Sequence, residues 1–302
     1  MRLDALKLEL DESFSIQNWA RDPAMSRFLP RAYEGLGFDY TQILERDFCD
    51  RFNGLMLRGG ETVEHVTCAA FPCQEVVEAV LGQGGGDALL FLHHPIDMEV
   101  AGGGFLPIPP RALEQMRAQG ISIYACHAPM DCHDEKGTSA SIAHAFGVQV
   151  ERGFAWYGSG FAGRIGAVAP QGVGDLVANG KEIFGVDRVE VGGAEPGTIT
   201  RVAIVAGGGD DVEVMEEAES RGAEAYITGE WYTRTLPVEA SEREWAETNR
   251  AACEAYAASS KMAMLGFSHA ATEFLVMKTH MAPWFRKRGL KVECVEQSDW
   301  WR

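Results

Sequence analysis

The chain has 302 residues, 46% of them apolar and 24% charged, enough to bury one large core or two smaller ones. A formal charge of −17 opposes nucleic-acid phosphates and an anionic bilayer, because binding to either draws on Lys and Arg, so neither is an expected partner. The acid excess reads as a solvated surface, with metal-binding carboxylates accounting for only a few of the charges.

In chain order, MRLDALKLELDESF alternates charged and apolar positions and has no apolar stretch ahead of a small-residue cleavage site, so it is not a secretory signal. AYEGLGFDYTQILERDFCDRFNGLML reads as helix then strand, with Pro30 breaking an earlier segment, and the first 50 residues take no assigned role. From about residue 85, short apolar runs alternate with helical segments, the signature of βα units around mainly parallel sheets. DALLFL is a strand, PPRALEQMRAQG (109–120) a helix opened by prolines and stopped by glycine, and ISIYAC (121–126) the next strand. After the loop HAPMDCHDEKG, Thr138 is placed to cap the helix SASIAHAFG, with Ile142, Ala145 and Phe146 on one face.

Residues 150–200 are glycine-rich and carry alternating runs such as RIGAVAP and RVEVGG, read as hairpins or edge strands and not as long helices. TRVAIVA (200–206), the turn GGGDD, the helix VEVMEEAESRG and the strand AEAYIT make a second βαβ unit. Residues 238–260 read as an acidic, solvent-facing helix that turns Trp245 and Tyr256 toward the protein. KMAMLGF (261–267) is a buried strand, AATEFLVMKTHMAPWFRKRG a helix and LKVECVE a final strand. No window approaches the ~18 apolar residues of a membrane helix. The seven cysteines are scattered and never in C-x-x-C spacing, as expected of reduced thiols in a cytoplasmic protein. The expected architecture is a two-lobed α/β fold of mixed, mostly parallel sheets flanked by helices. One lobe spans 1–145, completed by 262–302, and the other spans 146–261.

Open α/β sheets bind ligands at the carboxyl ends of their strands, where loops converge and helix N-termini point their N–H groups. Here ALLFL ends at His93 and His94, ISIYAC at His127 with Asp131 four residues on, and KMAMLGF at Ser268 and His269 with Glu273 following. His269 and Glu273 are spaced i, i+4 at the first turn of a helix, so their side chains lie one above the other and can reach one ion or two adjacent ions. Asp131 can supply a carboxylate oxygen to the same place. His93 and His94 diverge as chain neighbours, which suits two metals that each take one histidine and share a bridging carboxylate.

Taken singly, each residue has an ordinary role to set against this: a strand-end histidine is often only hydrogen-bonded, and Glu273 alone would be a first-turn acid favoured by the helix dipole. Three strand ends with nitrogen and oxygen donors and no Lys or Arg point together to metal. Glu230, ending the strand in YITGEWY, lines the same cleft if the lobes face each other, or is itself a first-turn acid. His65, His133, His144 and His280 read as structural, with His133 close enough to the Asp131 loop to support it. Cys126 and Cys132 do not have zinc-finger spacing. VAIVAGGGDD lacks the G-x-G-x-x-G order, and Asp210 and Asp211 stand where a pyrophosphate would meet their charge, so a tight turn is the better account.

In order, LLFLHHPI, YACHAPMD, VAIVAGGGDD, AEAYITGE and GFSHAATE resemble the successive motifs of the dinuclear metal centre protein family, also called Nif-three-like, whose members are often labelled GTP cyclohydrolase 1 type 2 homologs. The resemblance runs from about residue 85 to the C-terminus. It implies His93, His94, Asp131, His269 and Glu273 as metal ligands and His127 as a neighbour of metals and substrate. It also implies a two-lobed fold with the metals in the cleft, and a toroidal homohexamer. The chain departs from the family in FNGLML (52–57), where an Asp-containing WDN-x-G-L is usual, and in Trp231 and Tyr232, where histidines commonly follow TGE. FSHAATE stands where the family has G-H-Y before its final Glu.

The expected function is a dinuclear metal-dependent hydrolase acting on a C=N or amide-type bond of a small heterocyclic or nucleotide-like substrate. Glu273 would bridge two divalent ions (Zn, Fe or Mn), and His127 or Glu230 would move protons. The alternative is a metal carrier or regulatory interaction protein without turnover.

Overall fold

A computed structural model describes residues 1–98, 105–234 and 240–297. The chain forms two compact units. Among the described residues, one unit takes in 1–98, 105–130 and 277–297, and the other 131–234 and 240–276.

The first unit opens with α1 (Leu3–Ser13), whose Leu3, Leu6 and Leu10 recur every three or four residues and are buried. α2 (Met25–Glu34), α3 (Arg46–Arg51), β1 (Gly54–Leu57), β2 (His65–Ala69), α4 (Gln74–Gly82) and β3 (Ala88–Leu92) follow. A short antiparallel pair, β4 (Ile96–Asp97) and β5 (Leu106–Pro107), then precedes α5 (Pro110–Ala118), β6 (Ile121–Ala125) and the single turn α6 (Ala128–Asp131). The second unit contains α7 (Thr138–Ala145), β7 (Gln149–Tyr157), β8 (Gly160–Gln171), α8 (Val173–Phe184), β9 (Glu190–Gly193) and β10 (Ile199–Gly208). It continues through α9 (Val212–Ser220), β11 (Ala225–Glu230), α10 (Ala240–Ser259), β12 (Ala263–Gly266) and α11 (His269–Val276). The chain then returns to the first unit through a π-helical turn (Met277–Met281), α12 (Ala282–Arg286) and β13 (Lys291–Cys294).

Each unit is a sheet flanked by helices, with parallel strands at the centre and antiparallel strands at an edge. The first sheet has the order β1-β6-β3-β2-β13, in which only β1 runs antiparallel. β3 and β6 are buried at every residue, which is why they appear as unbroken apolar runs. The second sheet has the order β7-β8-β10-β11-β12-β9, parallel through β10, β11 and β12. Its neighbouring residues alternate between two cores: Ile204, Ile227 and Leu265 join Phe184 and Phe267 on one face, while Ala203, Tyr226 and Met264 join Met215 and Cys253 on the other.

Several expectations need correction. Pro30 does not break a segment but lies inside α2, which continues because Leu29 and Tyr33 are buried and the Tyr33 hydroxyl donates to the Ile108 carbonyl at 3.1 Å. Gly137 and not Thr138 is the cap of α7, and Ala143 takes the buried position expected of Ala145, which is exposed. The stretch expected to hold only hairpins and edge strands also contains the 12-residue α8. Its Gly180 serves packing: a Cβ there would fall 2.2 Å from the Phe267 ring. Trp245 on α10 is 63% exposed, whereas Tyr256 does turn inward, donating to Glu219 at 2.5 Å. The units also part at 130/131 and 276/277, away from the expected 145/146 and 261/262. α7 packs on β8, β10 and α11, and β12 is hydrogen-bonded between β11 and β9, so these elements belong with the second sheet.

Arg164 on β8 is 2% exposed and gathers the loop after α6. It donates to the carbonyls of Phe161 at 2.6 Å, Gly163 at 2.9 Å and Cys132 at 3.2 Å, and to the Asp134 carboxylate at 3.2 Å. Arg164→Ala strands buried carbonyls and is expected to cost about 2 kcal/mol or more, read from the urea midpoint. Arg164→Lys, with no planar fork, should recover little of it.

Candidate metal centre

In the first unit, the chain leaving β3 is held by amide bonds from His94 to the Ala70 carbonyl at 2.8 Å and from Cys126 to the Leu92 carbonyl at 3.0 Å. The His93 and His94 rings lie 4.6 Å apart and nearly perpendicular, at 89°. His94 stacks on Phe71 at 4.3 Å, and His93 Nδ1 donates to the Cys126 carbonyl at 2.9 Å. His127, just beyond β6, stands 4.6 Å from His94 and 5.0 Å from His93. One donor atom from each of the three imidazoles falls within 4.8 Å of the others, so the trio has the composition and spacing of a possible metal site. All three are buried.

Behind His127 lies a carboxylate that the sequence patterns did not single out. Asp22 is fully buried; its Oδ1 accepts from the amides of Ala24 (3.0 Å) and Met25 (2.8 Å), and its Oδ2 from Asn53 Nδ2 (3.0 Å) and the Ala128 amide (3.1 Å). His127 Nδ1 donates to the same carboxylate at 3.0 Å, while the His127 amide donates to Asn53 Oδ1 at 2.7 Å. Burial alone would raise the Asp22 carboxyl, but His127 and the converging amides override it and hold the group far below the usual carboxylate range. The available signal was an Asp just ahead of the first turn of α2, a capping position.

In the second unit, His269 opens α11 and Glu273 follows one turn on, with His269 Nε2 3.2 Å from Glu273 Oε1. Glu230 ends β11 and so is not a first-turn helix acid; its Oε1 is 3.5 Å from His269 Nδ1. Burial would lower the His269 imidazole, but the carboxylates of Glu273 and Glu230 outweigh it and hold the group well above its ordinary value. Burial raises the Asp210 carboxyl, and nearby Glu230 adds to the effect. Asp210 accepts from Thr233 at 2.5 Å, and Asp211 caps α9 by accepting from the Glu213 amide at 2.9 Å.

The glycines of VAIVAGGGDD and TGE have a steric role in this unit. A Cβ at Gly207, whose φ is +68°, would fall 2.1 Å from Glu273 Oε1, and one at Gly229 would fall 2.7 Å from the His269 Cα. Asp131, also in the second unit, accepts from the Thr138 hydroxyl at 2.8 Å. His133 Nδ1 accepts from the Glu135 and Lys136 amides and supports that loop's turn, and the Cys132 thiol donates to the Tyr157 carbonyl. The structure thus brings His93, His94 and His127 together in one unit and Glu230, His269 and Glu273 together in the other.

Gly207→Ala places a methyl against Glu273 at a left-handed φ. The expected cost is about 1–3 kcal/mol, visible in thermal melts. Asp22→Asn is expected to cost about 1–3 kcal/mol at neutral pH. A carboxylate whose folded value is depressed contributes stability above its unfolded value, about 4, and loses it as pH falls toward the folded value. The difference between wild type and Asp22→Asn in urea melts should therefore shrink below about pH 4.

The family model for Duf34/NIF3 (NGG1p interacting factor 3) matches residues 46–299. A Salmonella typhimurium protein named GTP cyclohydrolase 1 type 2 homolog is 28% identical over 192 residues, 61% of this chain and 71% of that protein. An Archaeoglobus fulgidus protein of the same name is 30% identical over 183 residues, 59% and 69% of the two chains. Among solved structures, protein ybgI, described as of unknown function, aligns with a TM-score of 0.66 at 19% identity over 99% of this chain and 100% of its own. A Thermus thermophilus protein aligns with a TM-score of 0.63 at 21% identity over 99% of each. These two share the fold. With its two sheets, its imidazole trio and a family match over most of its length, the chain belongs to the Duf34/NIF3 family.

Proposed function

We propose that the protein is a divalent-metal-dependent hydrolase of small heterocyclic or nucleotide-like substrates, acting on a C=N or amide-type bond. The observation that carries this reading is the buried trio His93, His94 and His127, in which two rings direct Nδ1–H at fixed oxygen acceptors. A neutral imidazole with its proton on Nδ1 carries its lone pair on Nε2, the form a metal or a substrate proton requires. The name of the curated relatives, GTP cyclohydrolase 1 type 2 homolog, supports the substrate class.

In this reading His93, His94, Asp131, His269 and Glu273 hold two ions per chain, and their mixed nitrogen and oxygen donors suit Zn, Fe or Mn. The ions supply Lewis acidity and bring water within reach of deprotonation at neutral pH. His127 moves a proton at the reacting atom, and Glu230 steadies His269 through Nδ1. The working form is a cytoplasmic homohexamer. Among the described residues no helix is long and apolar enough to cross a membrane, and the net charge of −17 disfavours nucleic acid.

Elemental analysis of the purified protein should return about two transition ions per chain. His94→Ala and Glu273→Ala should each lower that number, and hydrolysis of heterocyclic amides or nucleotides should fall about 100-fold or more. Retained metal with no turnover across such a panel would overturn the hydrolase and leave a carrier.

A further inference from the structure

We infer that Cys68 and Cys294 form a reversible redox pair: a low-molecular-weight disulfide oxidises them to one protein disulfide that fastens β13 to β2. The pair lies wholly in the first unit and is independent of the metal reading above.

The backbone sets the two residues side by side. β13 pairs with β2 in parallel, with Cys294 directly opposite Cys68, and the Val295 amide donates to the Cys68 carbonyl at 3.0 Å beside the pair. Paired strands lie about 4.8 Å apart, within the span of about 4.4–6.8 Å between Cα atoms that a disulfide bridges. The two side chains also share a face of the sheet. One residue earlier, Thr67 and Glu293 are opposed, and the Gln83 side chain donates to both, to Thr67 at 3.3 Å and to Glu293 at 2.9 Å. Because side chains alternate along a strand, Cys68 and Cys294 project from the other face. There the Cys294 thiol donates to the Met277 carbonyl of the π-helical turn at 3.8 Å.

The two thiols differ as an attacking thiol and a resolving thiol must. Cys68 is fully buried, and burial pushes its thiol well above the ordinary value. Cys294 is partly exposed; a hydrogen bond accepted from the Cys68 thiol holds it below the ordinary value against the effect of burial, and the charges of Arg286 and Lys278 reinforce this. Burial pushes Cys49 and Cys253 up instead, to about 11 and about 12. The thiolate is the attacking species, so Cys294 is the member of the pair that an oxidant meets first.

The exchange runs in two displacements. The Cys294 thiolate attacks one sulfur of the small disulfide, whose S–S bond breaks and releases one small thiolate, leaving a mixed disulfide on Cys294. The Cys68 sulfur gives its proton to solvent, attacks Cys294 Sγ and displaces the second small thiolate. Two electrons leave the protein pair, and one small disulfide becomes two small thiols. β2 leads directly into the Ala69 and Ala70 carbonyls that accept the His93 and His94 amides at 3.3 and 2.8 Å, so the new bond secures the strand from which that segment hangs.

Glutathione disulfide added to the folded, reduced full chain tests the pair. Alkylation, digestion without reductant and mass spectrometry should find the peptides that carry Cys68 and Cys294 joined, with a loss of two hydrogens that dithiothreitol reverses. Cys68→Ala should stop at the mixed disulfide, carrying glutathione on Cys294, and Cys294→Ser should leave Cys68 unmodified. Both variants are matched to the unaltered chain by circular dichroism before they are scored. Absence of the Cys68–Cys294 link in the folded, unaltered chain would overturn the inference; so would glutathione on Cys68 in Cys294→Ser, or none on Cys294 in Cys68→Ala.

Discussion

A histidine nitrogen can bind a cation only when its proton sits on the other nitrogen, and in a buried site the protein must decide which. That constraint accounts for much of the first unit's local structure. The Cys126 carbonyl fixes His93, and Asp22 fixes His127. The Cys126 carbonyl directly follows β6, whose carboxyl end lies next to that of β3 in the parallel register Leu92 to Ala125. The sheet therefore delivers the three rings and the acceptor of His93 from adjacent strand ends. Asp22, by contrast, is brought in from a segment far away in sequence, and its burial is made tolerable by five donors.

The second unit meets a related problem by sterics. A carboxylate and an imidazole one helical turn apart are ordinary, but here they press against the backbone of β10 and β11. Only glycine leaves room at Gly207 and Gly229. The Gly207 amide donates to Thr272 on the same helix, and the Thr228 hydroxyl donates to the Gly207 carbonyl, so strand and helix are locked at their closest point. Glycines resembling a nucleotide loop are thus spacers for side chains.

The strand-end residues were legible because buried parallel strands are unbroken apolar runs, and the first polar residue after each run marks its end. His93, His94, His127 and His269 were found in that way. Asp22 was not, because its role arises from a tertiary contact across 105 residues to His127 and leaves only a helix-capping pattern locally. α8 was missed because its glycines, one packed under Phe267, read as breakers. The unit boundary was misplaced for a related reason: β12 and α11 are written next to the C-terminal strand but pair with β11 and pack on α7.

β13 closes the first sheet by pairing with β2, and Gln83 bonds Glu293 across 210 residues. On a ribosome, the entire second unit emerges between the two partners. Until the last strand appears, β2 presents an unpaired edge, the kind of surface that templates aggregation. The second unit, by contrast, has all its strands in one uninterrupted stretch and can complete its sheet first. Synthesis thus can complete the unit that carries His269 and Glu273 while the one that carries His93, His94 and His127 is still waiting for its final strand.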